Sequence, residues 1–210
     1  MFQFILSAKV NSVSHESGKT YFSATHFTPD NKSFSFKGIS DAALNIEAGK
    51  NYLIINAIPK NYDGDTQVKH LHLEASTAYE TGSLMIESNG DSVNSLCMTG
   101  RTTADSTKTS GIRSERTWNL TKFNLIVEAN IYDKNLARRD SDKLGAYPTF
   151  SLKCDYWNNF PVMPSGNQYI IRGELVSAVS LDNKEYFNVK VQKIEFGAES
   201  KANAAARQAA

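Results

Sequence analysis

The chain has 210 residues, of which 40% are hydrophobic and 21% charged, and its mean hydropathy is -0.40. This composition is typical of an ordinary globular protein and excludes a disordered or membrane-embedded chain. A formal net charge of +1 excludes a uniformly basic surface, but residues 1–90 carry seven Lys, no Arg and nine acids, whereas residues 91–210 carry nine Lys, seven Arg and thirteen acids. Because guanidinium groups pair with phosphate and stack on flat rings, an anionic, planar partner is expected on the second half.

The N-terminal end and the cysteines indicate the compartment. Residues 1–10 contain Gln3, Ser7 and Lys9 and have no basic leader, so they predict a strand rather than a secretory signal. Cys97 and Cys154 are too few for a disulfide framework. We therefore expect two free thiols, a cytoplasmic location and no membrane partner.

The first half contains five predicted strands and one short helix. Alternating apolar runs bounded by turn residues lie at 2–13, 20–27, 33–37, 52–58 and 67–73. A period of two with β-branched and aromatic enrichment is typical of strands. Between the third and fourth runs, SDAALNI opens with Ser40 and Asp41 and predicts a short capped helix.

The second half repeats this order. Strands are predicted at 96–103, 118–131, 147–155, 169–176 and 186–196, with the short element YWNNF between the third and fourth. Three strands, a helix and two more strands is the order of the OB-fold, a partly open five-stranded barrel that binds oligonucleotides or oligosaccharides across one face. The predicted fold class is therefore all-β, with two tandem OB-fold domains that each have a short helix between strands three and four.

A sequence repeat relates the two halves. Residues 33–55 read SFSFKGISDAALNIEAGKNYLII and residues 149–171 read TFSLKCDYWNNFPVMPSGNQYII. The identical positions are Phe34, Ser35 and Lys37 with Phe150, Ser151 and Lys153, and, after a one-residue gap, Gly49, Tyr52 and Ile54 with Gly166, Tyr169 and Ile171. The repeat predicts a first OB-fold at 1–80, a linker at 81–94, a second OB-fold at 95–197 and a tail at 198–210.

Three segments of the second half resemble the bacterial single-stranded DNA-binding protein family. SVNSLCMTGRTTADS, residues 92–106, resembles the opening of that family, with Val93, Asn94, Gly100, Ala104 and Asp105 at its characteristic places. FNLIVEANIYDKN resembles the second strand of the family and its exit into a basic loop, and GNQYIIRGEL, residues 166–175, resembles its fourth strand, with Gly173 at the family's Gly. The resemblance covers about residues 92–196 and implies single-stranded DNA as the partner.

Two segments depart from the family. The chain ends GAESKANAAARQAA, where the family usually has an acidic tail with an apolar tip, and the loop from Thr103 to Thr117 is rearranged. A phage- or mobile-element-encoded member and a shortened chain are both compatible with this end. The expected location is the cytoplasm of a bacterial or infected host cell.

Binding a single strand without sequence preference requires cations along the phosphates and flat side chains on which bases stack. Alternation places Lys37 and Lys153 on the outward face of their strands, opposite the apolar set. The predicted nucleic-acid-binding residues are Arg101, Arg113, Arg116, Trp118, Lys122, Tyr132, Lys134, Arg138, Arg139, Tyr147, Lys153 and Arg172 in the second half, and Lys37 and Tyr62 in the first. Two interpretations of Trp118 stay open, a stacking platform and a core residue, whereas Trp157 is predicted to fill the core.

The predicted function is to coat and protect single-stranded DNA during replication, recombination or repair. A homo-oligomer is expected, and a dimer would supply four barrels. The alternative is a duplicated OB-fold that serves as a scaffold or protein-interaction module in a replication or DNA-transfer complex; an oligosaccharide binder is a third, weaker reading. No catalytic motif occurs, so no enzyme activity, metal or cofactor is expected.

Overall fold

A computed structural model describes residues 2–28, 33–55, 58–59, 72–75, 77–81, 92–128, 149–179 and 185–209. Within these residues nearly all regular structure is β, which confirms the predicted all-β class. The strands of the first half are β1 (Phe2–Glu16), β2 (Lys19–Phe27), β3 (Ser33–Asp41), β4 (Asn51–Ile55), β5 (Ile58–Pro59), β6 (His72–Ala75) and β7 (Thr77–Thr81). Those of the second half are β8 (Asn94–Thr102), β9 (Thr107–Arg113), β10 (Arg116–Glu128), β11 (Thr149–Tyr156), β12 (Gln168–Val179) and β13 (Glu185–Ala198), followed by helix α1 (Lys201–Ala209).

The chain divides into two compact units. The N-terminal unit contains Gln3–Leu96 and Leu175–Phe187, and the C-terminal unit contains Met1–Phe2, Cys97–Glu174 and Asn188–Ala210. The predicted ranges place 175–187 with the second half, whereas this division groups it with the first. Most of the predicted linker lies outside the described residues, and the tandem arrangement stays a prediction.

In the N-terminal unit, strand pairing closes a ring. β1, β2 and β3 form an antiparallel meander, β3 pairs in parallel with β6, and β1 pairs antiparallel with β4. β7, which begins two residues after β6 ends, pairs antiparallel with β4. The ring β1-β2-β3-β6/β7-β4 is consistent with a five-stranded barrel of the OB type.

The C-terminal unit has the same order of pairing. β10 pairs antiparallel with β8 and β11, β11 pairs in parallel with β13, and β13 and β8 are both neighbours of β12. β9 lies beyond this ring and forms a hairpin with β10. Its two-residue turn, Ser114 and Glu115, has positive φ at both positions (50° and 63°), which is the backbone conformation that fits the twist of a tight hairpin.

Both copies of the repeat occupy equivalent positions in the strands. Lys37 pairs with Ser23 across β2 and β3, and Lys153 pairs with Asn124 across β10 and β11. Each lysine also belongs to the strand that pairs in parallel with the last strand of its ring. The repeated residues therefore have equivalent partners in the strand pairing of the two units.

The turn before the fourth strand is also equivalent. Gly49 and Gly166 have φ of 84° and 81°, a left-handed conformation that glycine adopts without steric cost. Each donates its N–H to a carbonyl of the first strand, Val10 in one case and Thr102 in the other, at 2.8 Å. In both halves the repeated glycine therefore forms the same turn and the same hydrogen bond to the first strand.

The predicted helix between the third and fourth strands occurs in the first half only. It is a single 3-10 turn, Ala42–Leu44. In the second half, residues 157–167 form bends and a turn and contain no helix. Hydrogen bonds hold this segment instead, because Met163 N donates to Ser106 Oγ at 2.9 Å and Ser106 N donates to Met163 O at 3.0 Å.

Alternating side chains fill both cores, as a period of two requires. The largest buried side chains of the N-terminal unit include Phe4, Leu6, Phe22, Phe34, Phe36 and Ile54, and those of the C-terminal unit include Met98, Phe123, Leu125, Leu152, Ile171 and Val189. Cys97 is half-buried, Cys154 is buried, and both are free thiols. Within the described ranges, no helix has the length and apolar character needed to cross a membrane.

Candidate nucleic-acid interface

The outward face of β10, β11 and β13 carries two of the predicted cations, Lys122 and Lys153. Along β10, Phe123, Leu125 and Val127 are buried, whereas the residues between them are exposed. Lys122, directly before Phe123, is also exposed, and Lys153 is exposed on β11. The outward placement that alternation predicted for Lys153 is confirmed.

Register brings three lysines together on this face. Lys122 lies opposite Asp155 on β11, and Asp155 lies opposite Lys190 on β13. Lys153 lies two residues from Asp155 on the same face, and Asn188 donates to Asp155 at 3.0 Å. Neighbouring strands are about 4.8 Å apart, so these lysines form one cationic patch around the carboxylate of Asp155. We call Lys122, Lys153 and Lys190 the lysine face; the sequence analysis missed Lys190, although alternation along 186–196 places it outward.

Two predicted arginines border the first strand of this barrel. Arg101 is exposed on β8, lies opposite Ile126 of β10, and donates Nη1 to Gly166 O at 3.0 Å. Arg172 is exposed on β12, the neighbour of β8 on the side away from β10. The hydrogen bond from Lys193 and its charge lower the pKa of Glu195, and the charge of Arg172 adds a smaller effect in the same direction. Arg101 therefore adjoins the lysine face, and Arg172 lies around the barrel from it.

The turn of the β9–β10 hairpin lies within the segment from Thr103 to Thr117 that departs from the family. The hairpin carries the predicted residues Arg113 and Arg116. Arg113 and Arg116 lie opposite each other beside the turn, and both are exposed. Ile112, next to Arg113, is 78% exposed. Sequence reasoning predicted a loop here, because β9 is exposed along nearly its whole length and has no apolar period to reveal a strand.

Trp118 and Trp157 form an aromatic pair beside this hairpin. Their ring centroids are 6.0 Å apart with an angle of 55° between the rings. Trp118 lies over Gly111, where a Cβ would come within 2.7 Å of the indole. Trp157 is 60% exposed, so the prediction that it fills the core is wrong. Trp118 is half-buried on the hairpin outside the barrel ring, which favours its reading as a platform.

The residues that carry the family resemblance hold the fold. Asn94 accepts from Leu175 N at 3.0 Å and donates to Leu175 O at 2.7 Å. Asp105 accepts from Ser165 N at 2.7 Å. A Cβ on Gly100 would lie 2.7 Å from a carbonyl oxygen of β10, and one on Gly173 would lie 2.4 Å from a carbonyl oxygen of β13. These motif positions are therefore explained by backbone contacts rather than by contact with a ligand.

The equivalent face of the N-terminal unit is covered by hydroxyl groups. Ser12 and Ser23 share a hydrogen bond of 2.7 Å, and Thr25 bonds to Ser35 at 3.1 Å and accepts from Asn11 at 2.9 Å. These residues lie on β1, β2 and β3, the strands that correspond to β8, β10 and β11. This face is polar and mostly neutral.

Two equivalent positions carry a cation on both faces. Lys37 is exposed on β3 at the position of Lys153, and Lys9 on β1 lies opposite Thr25 just as Arg101 lies opposite Ile126. Tyr21, 40% exposed, occupies the position of Lys122. The predicted residues Tyr62, Tyr132, Lys134, Arg138, Arg139 and Tyr147 lie outside the described residues.

No protein-family model and no curated protein sequence matches this chain. A solved structure similar to it is that of a replication protein A heterotrimer bound to single-stranded DNA, with 10% sequence identity and a TM-score of 0.28. The match covers 99% of this chain and 52% of that chain, so this chain spans about half the length of its neighbour. A TM-score of this size does not assign a shared fold.

Proposed function

We propose that this protein binds single-stranded DNA across the lysine face and the adjoining hairpin, with little sequence preference, and coats exposed strands during replication, recombination or repair. The observation that carries the proposal is the occurrence, in one unit, of cations on three neighbouring strands and of a tryptophan pair in which Trp157 is 60% exposed. Binding without catalysis, metal or cofactor is part of the proposal, as is assembly into a homo-oligomer.

Both components of single-strand recognition are present. The lysine face and Arg101 supply cations that neutralise phosphates and release counterions. Trp118 and Trp157 supply flat rings, and stacking of a base on such a ring contributes about 1–3 kcal/mol in a sequence-tolerant way. Asp155 is the carboxylate at the centre of the patch, and its hydrogen bond from Asn188 offsets part of its repulsion of phosphate.

The proposal is tested by fluorescence anisotropy with a labelled oligo-dT of about 35 nucleotides at two salt concentrations, with duplex of equal length as competitor. We expect tight, salt-sensitive binding that the duplex does not displace. No binding at low salt would contradict the proposal and favour the scaffold or protein-interaction alternative.

A matched pair of variants locates the surface. Lys153→Ala with Lys190→Ala removes two cations from the lysine face, and we expect the slope of log affinity against log salt to fall by about 1.4, since each phosphate contact on a single strand contributes about 0.7. Lys19→Ala with Lys201→Ala changes the net charge equally at other sites and is expected to leave the slope nearly unchanged. Equal effects of the two pairs would show that overall charge, not this face, drives binding.

A further inference from the structure

β9 has one edge that is open to solvent. Among the described strands, it lies at one end of the strand order and pairs only with β10. Six of its seven residues are exposed, and Ile112 is 78% exposed. The strand contains no proline. Its outer edge therefore offers backbone N–H and C=O groups with which a further strand can pair.

The sequence of β9, TKTSGIR, fits a second copy of itself in antiparallel pairing. The register that pairs all seven residues has its two-fold axis at Ser110. In this register Lys108 lies opposite Ile112 of the second copy, and Thr107 lies opposite Arg113 of the second copy. No two like charges are directly opposed, so the repulsion that destabilises such pairs is absent. The methylene groups of Lys108 can also cover the exposed side chain of Ile112.

The same register aligns cations of the two copies on one face of the joined sheet. Directly opposed residues share a face, and a two-fold axis normal to the sheet keeps the equivalent faces of both copies on the same side. Within one copy, a row of opposed residues crosses β13, β11, β10 and β9: Lys190, Asp155, Lys122 and Thr107. In the joined sheet, Arg113 of the second copy is next in this row. Arg116 of the second copy follows, because it lies opposite Arg113 in the hairpin.

We propose that two copies of this chain pair through β9 into one continuous sheet, and that the row of cations that crosses the junction binds one single strand of DNA. The DNA part rests on the proposed function, and the pairing gives the homo-oligomer proposed there a definite interface. A strand of DNA that contacts cations of both copies binds the dimer more tightly than the monomer. By linkage, it therefore stabilises the dimer.

Disulfide cross-linking tests the register. In the proposed pairing, the two copies of Ser110 are directly opposed, with Cα atoms about 4.5–5.5 Å apart, which a disulfide can span. Ser110→Cys should therefore give a cross-linked dimer with a mild oxidant. Thr109→Cys is the matched control, because its two Cα atoms would be about 8 Å apart, beyond the limit of about 7 Å. The wild-type chain controls for Cys97 and Cys154, which are free thiols.

We expect the cross-linked fraction of Ser110→Cys to exceed that of Thr109→Cys by about 10-fold or more. Equal cross-linking of the two variants, or none in either, would overturn the proposal and leave this edge to a strand of another protein.

A charge exchange supplies a second test, with sedimentation velocity as the measurement. Ile112→Lys places a lysine opposite Lys108 of the second copy, twice in each dimer, so this variant should be monomeric. Adding Lys108→Glu makes both pairs oppositely charged and should restore the dimer. Val162→Lys adds the same charge at a residue that is 55% exposed and outside the strands, and should leave the dimer unchanged. Failure of Lys108→Glu to restore the dimer would overturn the proposed register.

Oligo-dT of about 35 nucleotides separates this proposal from the proposed function. It should raise the cross-linking rate of Ser110→Cys severalfold, because one strand holds both copies together. A chain that binds oligo-dT but cross-links no better at Ser110 than at Thr109 would overturn the β9 pairing while the proposed function stands. A chain that cross-links at Ser110 and binds no oligo-dT would support the pairing and overturn the shared DNA row together with the proposed function.

Discussion

His26 is a fully buried titratable side chain that the proposed binding does not use. Its Nδ1 lies 2.7 Å from Ser7 O, and its Nε2 lies 3.4 Å from the amide nitrogen of Asn94. A carbonyl only accepts and an amide nitrogen only donates, so the arrangement fits a neutral imidazole with its proton on Nδ1. Burial lowers the pKa of His26, and the hydrogen bond to Ser7 partly opposes this effect.

The lowered pKa of His26 predicts a pH-dependent stability. The unfolded histidine has a pKa of about 6.5, so below that value the unfolded chain binds a proton that the folded chain does not. The free energy of unfolding should therefore fall as the pH drops from about 6.5 towards the lower folded-state pKa. We expect the Tm of the wild-type chain to decrease between pH 7.5 and 5.5, and that of His26→Gln, whose carboxamide also donates and accepts, to decrease less.

His15→Gln is the matched control for this experiment. His15 is exposed on β1, and its Nδ1 lies 3.0 Å from Thr20 Oγ1. Its substitution should leave the acid-induced fall in Tm as it is in the wild-type chain. If His26→Gln retained the full fall, another group would be responsible for it.

Sequence reasoning succeeded for residues whose place follows from strand alternation. Lys37 and Lys153 were predicted to point outward and do so, because a period of two fixes the face once the core side is known. Trp157 was misplaced because its segment has no period and its counterparts in the first copy, Ser40 and Asp41, suggested a buried cap. The place of such a residue depends on tertiary contacts, here with Trp118.

Removal of one ring of the Trp118–Trp157 pair should weaken binding without changing the charge of the protein. Trp157→Ala removes a 60% exposed ring, so thermal stability should change little. We expect affinity for oligo-dT to fall about 5-fold or more, which corresponds to about 1 kcal/mol of lost stacking, with the salt slope unchanged. Tyr79→Ala removes a ring that is 58% exposed in the N-terminal unit and should leave the affinity near that of the wild-type chain. An altered salt slope in Trp157→Ala would contradict a stacking role.

The close approach of β12 and β13 at Gly173 predicts a large effect of one methyl group. A Cβ at this position would lie 2.4 Å from Lys190 O, so the strands must separate to admit it. Overpacking of this kind costs about 1–3 kcal/mol, and Gly173→Ala should lower the midpoint of urea unfolding accordingly. Glu174→Ala, which removes a neighbouring half-buried side chain, should cost about 0.5 kcal/mol or less. Equal effects would show that the barrel tolerates this separation.

The strand order followed from the sequence better than the ends of the strands did. Apolar alternation placed β1, β2, β10 and β12 because their inward residues are large and regular. The fifth strand of the first half was predicted at 67–73, whereas β6 and β7 lie at 72–81. The first and last residues of such short strands are determined by the strands with which they pair. A local sequence pattern contains no information about those partners.

The two units carry equivalent faces with different electrostatics. The C-terminal unit has the lysine face and Arg101, whereas the N-terminal unit has a hydroxyl-covered face with Lys9 and Lys37 at two of the corresponding positions. Two cations on a neutral face release fewer counterions than four. The charge difference that the sequence showed between its halves therefore persists on the faces themselves.

This asymmetry predicts unequal effects of two equivalent substitutions. Lys37→Ala and Lys153→Ala remove the same side chain from the same place in each ring. Lys153→Ala should weaken binding of oligo-dT at low salt by about 3- to 10-fold and reduce the salt slope by about 0.7. The reason is that Lys122 on β10 and Lys190 on β13 are expected to contact the same stretch of DNA. Lys37→Ala should change the affinity less than 2-fold, since few cations surround it. Anisotropy titrations of the two variants at matched salt make the comparison, and equal losses would mean that both faces engage the strand with the same strength.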